Sequence, residues 1–296
     1  MLLYLMVCYV SRKTSLHLRI VIGIIFHSYF KEGSILDRRN IEKIAKNPED
    51  RMLLAKLYDK ISCAMQRNIP GSTSFLSPRE LELSRYLFGE QPGLYAFGGY
   101  EEAERKMLVF LPDYLEYESL FAEDSPICCL RAAFYQGDCP SHRDFLGALM
   151  GAGIKRETLG DICVGKDSCD FFVTAEIAPY LLQNFVSAGR AKVRLSQIPL
   201  TEASIPEPEV QIIKDTMASL RLDSVISSGF RIGRSLACQY VTSGKAAIDG
   251  LPCEKSDKSV EEGQKISVRG LGKIKLETVN GQTKKGRIGV VIHRYI

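Results

Sequence analysis

The chain has 296 residues, 45% hydrophobic and 25% charged, a balance that excludes a wholly disordered or low-complexity protein. Its length allows two or three small domains with a sizeable core in at least one. The net charge of +4 hides an asymmetry: residues 217–296 carry 14 Lys/Arg against 7 Asp/Glu, whereas residues 41–216 carry 19 against 26. A basic C-terminal module on an acidic middle points to a polyanionic partner for one end.

Residues 1–40 hold two short apolar runs, at 2–10 and 20–26, separated by Ser11-Arg12-Lys13-Thr14-Ser15. Neither run reaches the ~18 apolar residues of a membrane span. A signal peptide would place its basic residues before the apolar run, and here the order is reversed. The favoured reading is a non-native upstream extension from a misassigned start; a peripheral amphipathic anchor and a poorly folded tail are the alternatives. No stable membrane insertion is expected.

Residues 41–68 read as one helix, with Leu53, Leu54, Leu57, Ile61 and Ala64 at helical spacing. Pro70-Gly71-Ser72-Thr73 is a break. Ser77-Pro78-Arg79-Glu80 opens a second helix, with Ser77 as N-cap, Pro78 at N1 and Glu80 at N3. Residues 41–91 thus form an N-terminal helical unit. From Gly93 the pattern changes to strands at 94–97, 106–111 and 127–135, then a helix at 141–150 capped by Ser141 and Asp144. Strands at 161–164 and 170–174, a helix at 177–186 and a strand at 191–197 follow. Val193 and Leu195 point inward on that last strand, and Lys192 and Arg194 outward. Residues 92–200 are therefore read as a central α+β domain, RRM-like, with a mixed sheet and two helices. Pro206 and Pro208 mark residues 201–216 as a linker and helix start.

Residues 217–296 form the basic C-terminal domain. Leu222, Val225 and Ile226 lie on one face of a short helix ended by Gly229. A second helix led by Arg231 and Arg234 buries Leu236, Ala237, Tyr240 and Val241 and stops at Gly244. Asp249-Gly250 signals a tight hairpin. Strands at 245–248, 265–268, 274–279 and 288–292 complete a small sheet.

The run Arg221-Leu222-Asp223-Ser224-Val225-Ile226, two short helices, then Ser243-Gly244-Lys245 and Ile248-Asp249-Gly250, resembles the RNA-binding domain named after ribosomal small-subunit protein S-four. Gly233, where a Ser often caps the second helix, Asp249 and Gln264 depart modestly from that pattern. The resemblance implies that the second helix lies against structured RNA. Arg221, Arg231, Arg234, Ser235, Gln239, Ser243, Gly244, Lys245, Arg269, Lys273 and Lys275 are its candidate contacts, with Arg143 as an addition from the central helix start. Arg231 and Arg234 would meet phosphates near a helix N-terminus that itself favours anions. Aromatic residues are sparse here, so shape and phosphate readout of folded RNA is expected over base stacking.

From about Asn47 to Tyr295 the chain also resembles the bacterial YlmH family. The residues that carry this are Phe75-Leu76-Ser77-Pro78-Arg79-Glu80, Gly98-Gly99-Tyr100, His142-Arg143-Asp144-Phe145-Leu146-Gly147-Ala148-Leu149-Met150, Gly153-Ile154-Lys155-Arg156, Gly160-Asp161-Ile162, Ile177-Ala178-Pro179-Tyr180-Leu181 and Thr283-Lys284-Lys285-Gly286-Arg287. The resemblance implies a cytoplasmic, noncatalytic factor of ribosome-associated quality control. Its partners would be structured RNA, 23S rRNA and tRNA, on 50S subunits still holding peptidyl-tRNA. Some members lie in cell-division gene clusters, which implies a looser link to division. Protein partners through the acidic central region are compatible with this role.

Enzyme motifs are incomplete. His142-Arg143-Asp144 has the letters of a kinase catalytic loop, but no Asn follows at the required spacing and no Asp-Phe-Gly occurs. A pseudouridine synthase or methyltransferase with an unrecognised central domain is the alternative. Yet Asp223 sits inside the small RNA-binding domain, where it would cap or brace a helix, and Gly151-Ala152-Gly153 follows a helix and not a strand. No catalytic residue, organic cofactor or metal is expected. Nine cysteines without a C-x-x-C pair read as buried reduced thiols.

Overall fold

A computed structural model describes residues 37–122, 124–135, 137–282 and 286–296. The readings of residues 1–36 lie outside the described residues.

The expected single N-terminal helix is two: α1 (Asn40–Ile44) and α2 (Pro48–Arg67). Asn47 makes the division. Its side-chain oxygen accepts the Asp50 N–H at 2.8 Å, and Pro48 at the first position cannot continue the preceding helix. Strand β1 (Gly71–Ser72) follows in what was read as a break, and then α3 (Pro78–Phe88). The capping box of Ser77 and Glu80 is formed in both directions. Strands β2 (Leu94–Phe97) and β3 (Met107–Phe110) complete a three-stranded antiparallel sheet ordered β1-β3-β2. Gly71 lets β1 lie on α2, because a Cβ there would come within 2.5 Å of the Ala64 Cβ. The buried carboxylate of Asp50 is held by Arg79 at 2.7 Å, joining α2 to α3.

The central sheet comprises β4 (Ile127–Phe134), β5 (Leu159–Val164), β6 (Ser168–Thr174), β7 (Ser187–Ala188) and β8 (Ala191–Ile198), ordered β5-β6-β4-β8-β7 and antiparallel throughout. Helices α4 (His142–Gly151) and α5 (Ala178–Asn184) follow β4 and β6 and cover one face. Phe145, Leu149, Leu181 and Phe185 pack there against Leu130, Ala132 and Phe171. The opposite face is half covered by the N-terminal sheet: Cys129 and Phe172 are buried under Phe75, Phe97, Met107 and Leu120. Gly99, at φ +96°, brings its backbone to the Phe172 ring, where a Cβ would sit 2.4 Å from the ring carbon.

Residues 201–216 are not a linker and helix start throughout. Ser204 donates its N–H to the buried carboxylate of Asp170 at 2.7 Å, and β9 (Val210–Met217) is a strand paired with β14 (Ile288–Tyr295) in eight registers. The partner strand lies some seventy positions downstream, so local pattern could not reveal the pairing. With β10 (Ala246–Ile248), β11 (Leu251–Pro252), β12 (Lys265–Val268) and β13 (Gly272–Gln282), the C-terminal sheet runs β11-β10-β12-β13-β14-β9. Helices α6 (Leu222–Phe230) and α7 (Arg234–Thr242) pack on it through Leu222, Val225, Ile226, Ala237 and Val241.

Two local readings are corrected. Gly229 lies inside α6: a Cβ there would approach the Ile274 Cδ1 to 2.7 Å, so glycine serves close helix–sheet packing. The helix ends instead at Arg231, a left-handed C-cap at φ +54°. Leu236 is 44% exposed, because α7 turns only its Ala237–Val241 stripe to the sheet. The Asp249-Gly250 turn is as read, with both residues at positive φ.

Cys63 and Cys139 are exposed, against the expectation of buried thiols; Cys128, Cys129, Cys163 and Cys169 are buried. Burial pushes the Cys163 thiol up to about 11. No described helix is long and apolar enough to cross a membrane.

Candidate nucleic-acid interface

The C-terminal helix pair assembles an arginine cluster around one carboxylate. Asp223, in the first turn of α6, is almost fully buried. Arg221 donates to it through Nε (3.2 Å) and Nη2 (3.1 Å), and Arg234 through Nε (3.3 Å) and Nη2 (3.4 Å). Burial alone would raise the Asp223 pKa; the hydrogen bonds from Arg221 and Arg234 outweigh it and hold the carboxyl below the usual range. Asp223 thus braces both arginines, whose side chains remain 37% and 58% exposed. Two cations share one anion, so the cluster keeps a net positive charge.

Arg234 opens α7 after Gly233, which supplies no side-chain cap. The first N–H groups of α7 therefore lack a capping side chain at a site already favourable to anions. Arg231 stands beside it in the left-handed conformation, which costs a non-glycine residue about 1 kcal/mol. Arg231 and Arg234 line a groove of about 430 Å³ together with Ser219, Ser224, Ser227 and Ser228.

Ser235 and Gln239 follow on the exposed face of α7, with Ser243 at its C-cap. Gly244, at φ +68°, closes the helix: its N–H goes to the Val241 carbonyl and that of Lys245 to Tyr240. Lys245 lies over the Tyr240 ring at 5.5 Å and accepts the Arg269 N–H on its carbonyl at 2.9 Å, so these two cations are neighbours. They flank the far end of α7, roughly 13 Å along its axis from Arg234.

Two of the remaining candidates are ion-paired. Lys273 pairs with Glu104 of the β2–β3 loop at 2.7 Å, and Lys275 with Glu277 at 2.8 Å. Arg143 is exposed at the start of α4, a helix of the central sheet and not of the α6–α7 pair. Its neighbours Ser141 and Asp144 form the capping box that starts α4. Sequence reasoning did not assign Arg287, which lines the groove and donates through Nε to Thr216 Oγ1 at 3.0 Å and through Nη2 to the Thr216 carbonyl. The groove serines were also unassigned, and the signal for them was weak because Ser is common at helix starts.

In the central region several cations are structural. Arg105 donates to the carbonyls of Leu159 (2.8 Å), Phe75 (3.1 Å) and Arg156 (3.1 Å), and Arg156 to Leu159 at 2.9 Å. Asp161 accepts from Tyr100 at 2.8 Å and from the Glu104 and Arg105 N–H groups, tying the Gly98–Gly99 loop to β5. Lys192 and Arg194 project from β8 into solvent. Among the described residues no group of His, Cys, Asp and Glu is arranged to hold a metal ion.

Residues 139–202 match the family model described as "Putative RNA-binding domain in YlmH". The family-model match falls on the central sheet, outside the α6–α7 arginine cluster. The fold and this match define an α+β protein that carries an RNA-binding domain. The curated "Ribosome-associated protein quality control protein P2" of Bacillus subtilis (strain 168) is 35% identical over 224 residues, covering 75% of this chain and 86% of the relative. The chain belongs to the YlmH family. The solved "Cell division protein ylmH from Streptococcus pneumoniae" is 23% identical, covers 55% of this chain and 98% of its own, and superposes with a TM-score of 0.45.

Proposed function

We propose that the protein is a noncatalytic RNA-binding factor of the cytoplasm that associates with the large ribosomal subunit. Its targets there are 23S rRNA and tRNA, and its role is quality control of stalled peptidyl-tRNA. The observation that carries this is the arginine pair braced by Asp223 at the uncapped start of α7, beside a hydroxyl-lined groove. Such an arrangement offers charge-assisted and main-chain donors to phosphate oxygens without a nucleophile or a general base aimed at a substrate. The name of the Bacillus subtilis relative supports the ribosomal setting. In this reading Arg231, Arg234, Ser235, Gln239 and the Lys245–Arg269 pair follow the RNA backbone along α7. Lys273 and Lys275 join only if RNA displaces Glu104 and Glu277. The acidic region before residue 217 holds a protein partner.

Cosedimentation with purified 50S subunits, with and without peptidyl-tRNA, tests the proposal. Wild type should prefer the tRNA-obstructed subunits. The Arg231→Ala/Arg234→Ala variant should lose about 10- to 100-fold in affinity, with a salt slope shallower by about 1–2. Unchanged affinity and slope would remove the site. Loss of binding to both forms in wild type would remove the ribosome and favour free RNA as substrate of a modifying enzyme.

A further inference from the structure

Among the described residues the N-terminal sheet ends in an open edge, and strand β2 pairs with β3 on one side only. Its sequence, Leu94-Tyr95-Ala96-Phe97, contains no Lys, Pro or charged residue of the kind that blunts exposed edges. The Gly93 carbonyl accepts the Leu111 N–H at 2.7 Å, so alternation turns the Leu94 and Ala96 backbone groups to the open side. Leu94 spends its N–H on Gln91. Ala96 is exposed.

Beside this edge lies a cluster of aromatic rings that is half core and half surface. Phe97 is buried, while Tyr95, Tyr117 and Phe121 are each between 37% and 38% exposed. Ring centroids lie 5.2 Å apart for Tyr95–Tyr117 and for Phe97–Phe121, and 6.0 Å apart for Tyr117–Phe121. Scattered exposed aromatics need no explanation, but a contiguous cluster at a strand edge marks an interaction surface. The segment that carries Tyr117 and Phe121 is acidic, and Glu101 and Glu118 act on the Tyr117 hydroxyl. Residues 111–126 contain five acids and no Lys, Arg or His, and Glu116 and Glu118 are exposed on either side of Tyr117.

We propose that the β2 edge docks an extended basic segment of a partner protein as an added strand. Main-chain bonds to Ala96 set its register. Alternate apolar side chains cover Tyr95, Tyr117 and Phe121. Its Lys or Arg residues lie against the tyrosine faces and the Glu116 and Glu118 carboxylates. Phosphate is repelled by these same acids, so RNA is not the occupant. The inference deepens the proposal of a protein partner for the acidic region and does not depend on the arginine cluster.

The test is fluorescence anisotropy of the full chain with a labelled peptide of about ten residues alternating Arg and Val. The full chain should bind it about tenfold tighter than the Glu–Val counterpart or than the same peptide N-methylated at alternate positions. Glu116→Lys/Glu118→Lys should lose about tenfold, while Glu207→Lys/Glu209→Lys, with the same charge change elsewhere, stays within about twofold. The Arg231→Ala/Arg234→Ala variant should bind the peptide as wild type does, so that failure here and failure of the RNA reading are told apart. No binding, equal loss in both Lys variants, or undiminished binding of the N-methylated peptide would each overturn the proposal. Competition by a uridine oligonucleotide at this edge would do the same.

Discussion

The central and C-terminal sheets each carry two helices on one face, yet they bury their other faces differently. β6 of the central sheet is buried at five consecutive positions, from Cys169 to Val173, because on the side opposite the helices the N-terminal sheet covers Phe172, and Arg131 with the Ser204 backbone covers Asp170. β12 of the C-terminal sheet alternates, with Ile266 and Val268 buried and Lys265 and Ser267 only partly so. A two-sided sheet reads as a continuous apolar run and a one-sided sheet as an alternation. The second face of the C-terminal sheet can therefore hold Lys265, Lys275, Glu277 and His293, and its helix pair can spend its polar face on arginines. The central region uses Arg105 and Arg156 to bind its own carbonyls. The difference teaches that burial sets what a cation does: Arg105 and Arg156, partly buried, knit loops, whereas Arg221 and Arg234 on the helix pair and Lys192 and Arg194 on β8 are presented.

The largest expected effect tests the two-sided burial. Phe172→Ala removes a fully buried ring between the central and N-terminal sheets and should cost ~3–5 kcal/mol in urea unfolding. A loss below ~1 kcal/mol would mean that the two sheets do not share a core. In the C-terminal unit, Gly229→Ala should cost ~1–3 kcal/mol, because the added methyl meets Ile274 and Ile292. A neutral or stabilising result, as for an open helix glycine, would show that α6 stands off the sheet.

A subtler difference concerns pH. Asp223 has a folded pKa below its unfolded one, so its pairing contributes stability that is present above the unfolded value, near 3.8. That contribution is lost as pH falls through the folded pKa. Thermal unfolding should therefore show Tm falling below about pH 4, and Asp223→Asn should flatten this acid limb. An unaltered limb in the variant would remove Asp223 as the brace. The smallest effect is expected at the Lys273–Glu104 pair, where both side chains are about half exposed. Glu104→Gln should change stability by no more than ~1 kcal/mol. RNA affinity should rise slightly as Lys273 is released; a fall would show that the pair supports the bound form.

Much of the local structure was legible. The Ser77–Glu80 and Ser141–Asp144 capping boxes and the Asp249-Gly250 hairpin involve groups a few positions apart, and each formed as read. Asn47-Pro48 carried an equally local signal, but the apolar periodicity running across it suggested one continuous helix. The expectation that Asp223 would cap or brace a helix anticipated its structural role, not the pair of arginines it holds. Lys273 and Lys275 were grouped with the RNA-facing cations because the sequence shows charge and not partners. Glu104 lies 169 positions from Lys273.

By itself the sequence determined the α+β class, the charge division between the two ends and the helix starts capped by Ser77 and Ser141, because these depend on composition and short-range hydrogen bonds. Only the tertiary structure decided that β9 joins the C-terminal sheet, that Gly229 is a packing residue and Arg231 the left-handed cap, and which cations are braced, paired or exposed. Those outcomes depend on strands and side chains distant in sequence meeting across a shared core, where distance and burial select each partner.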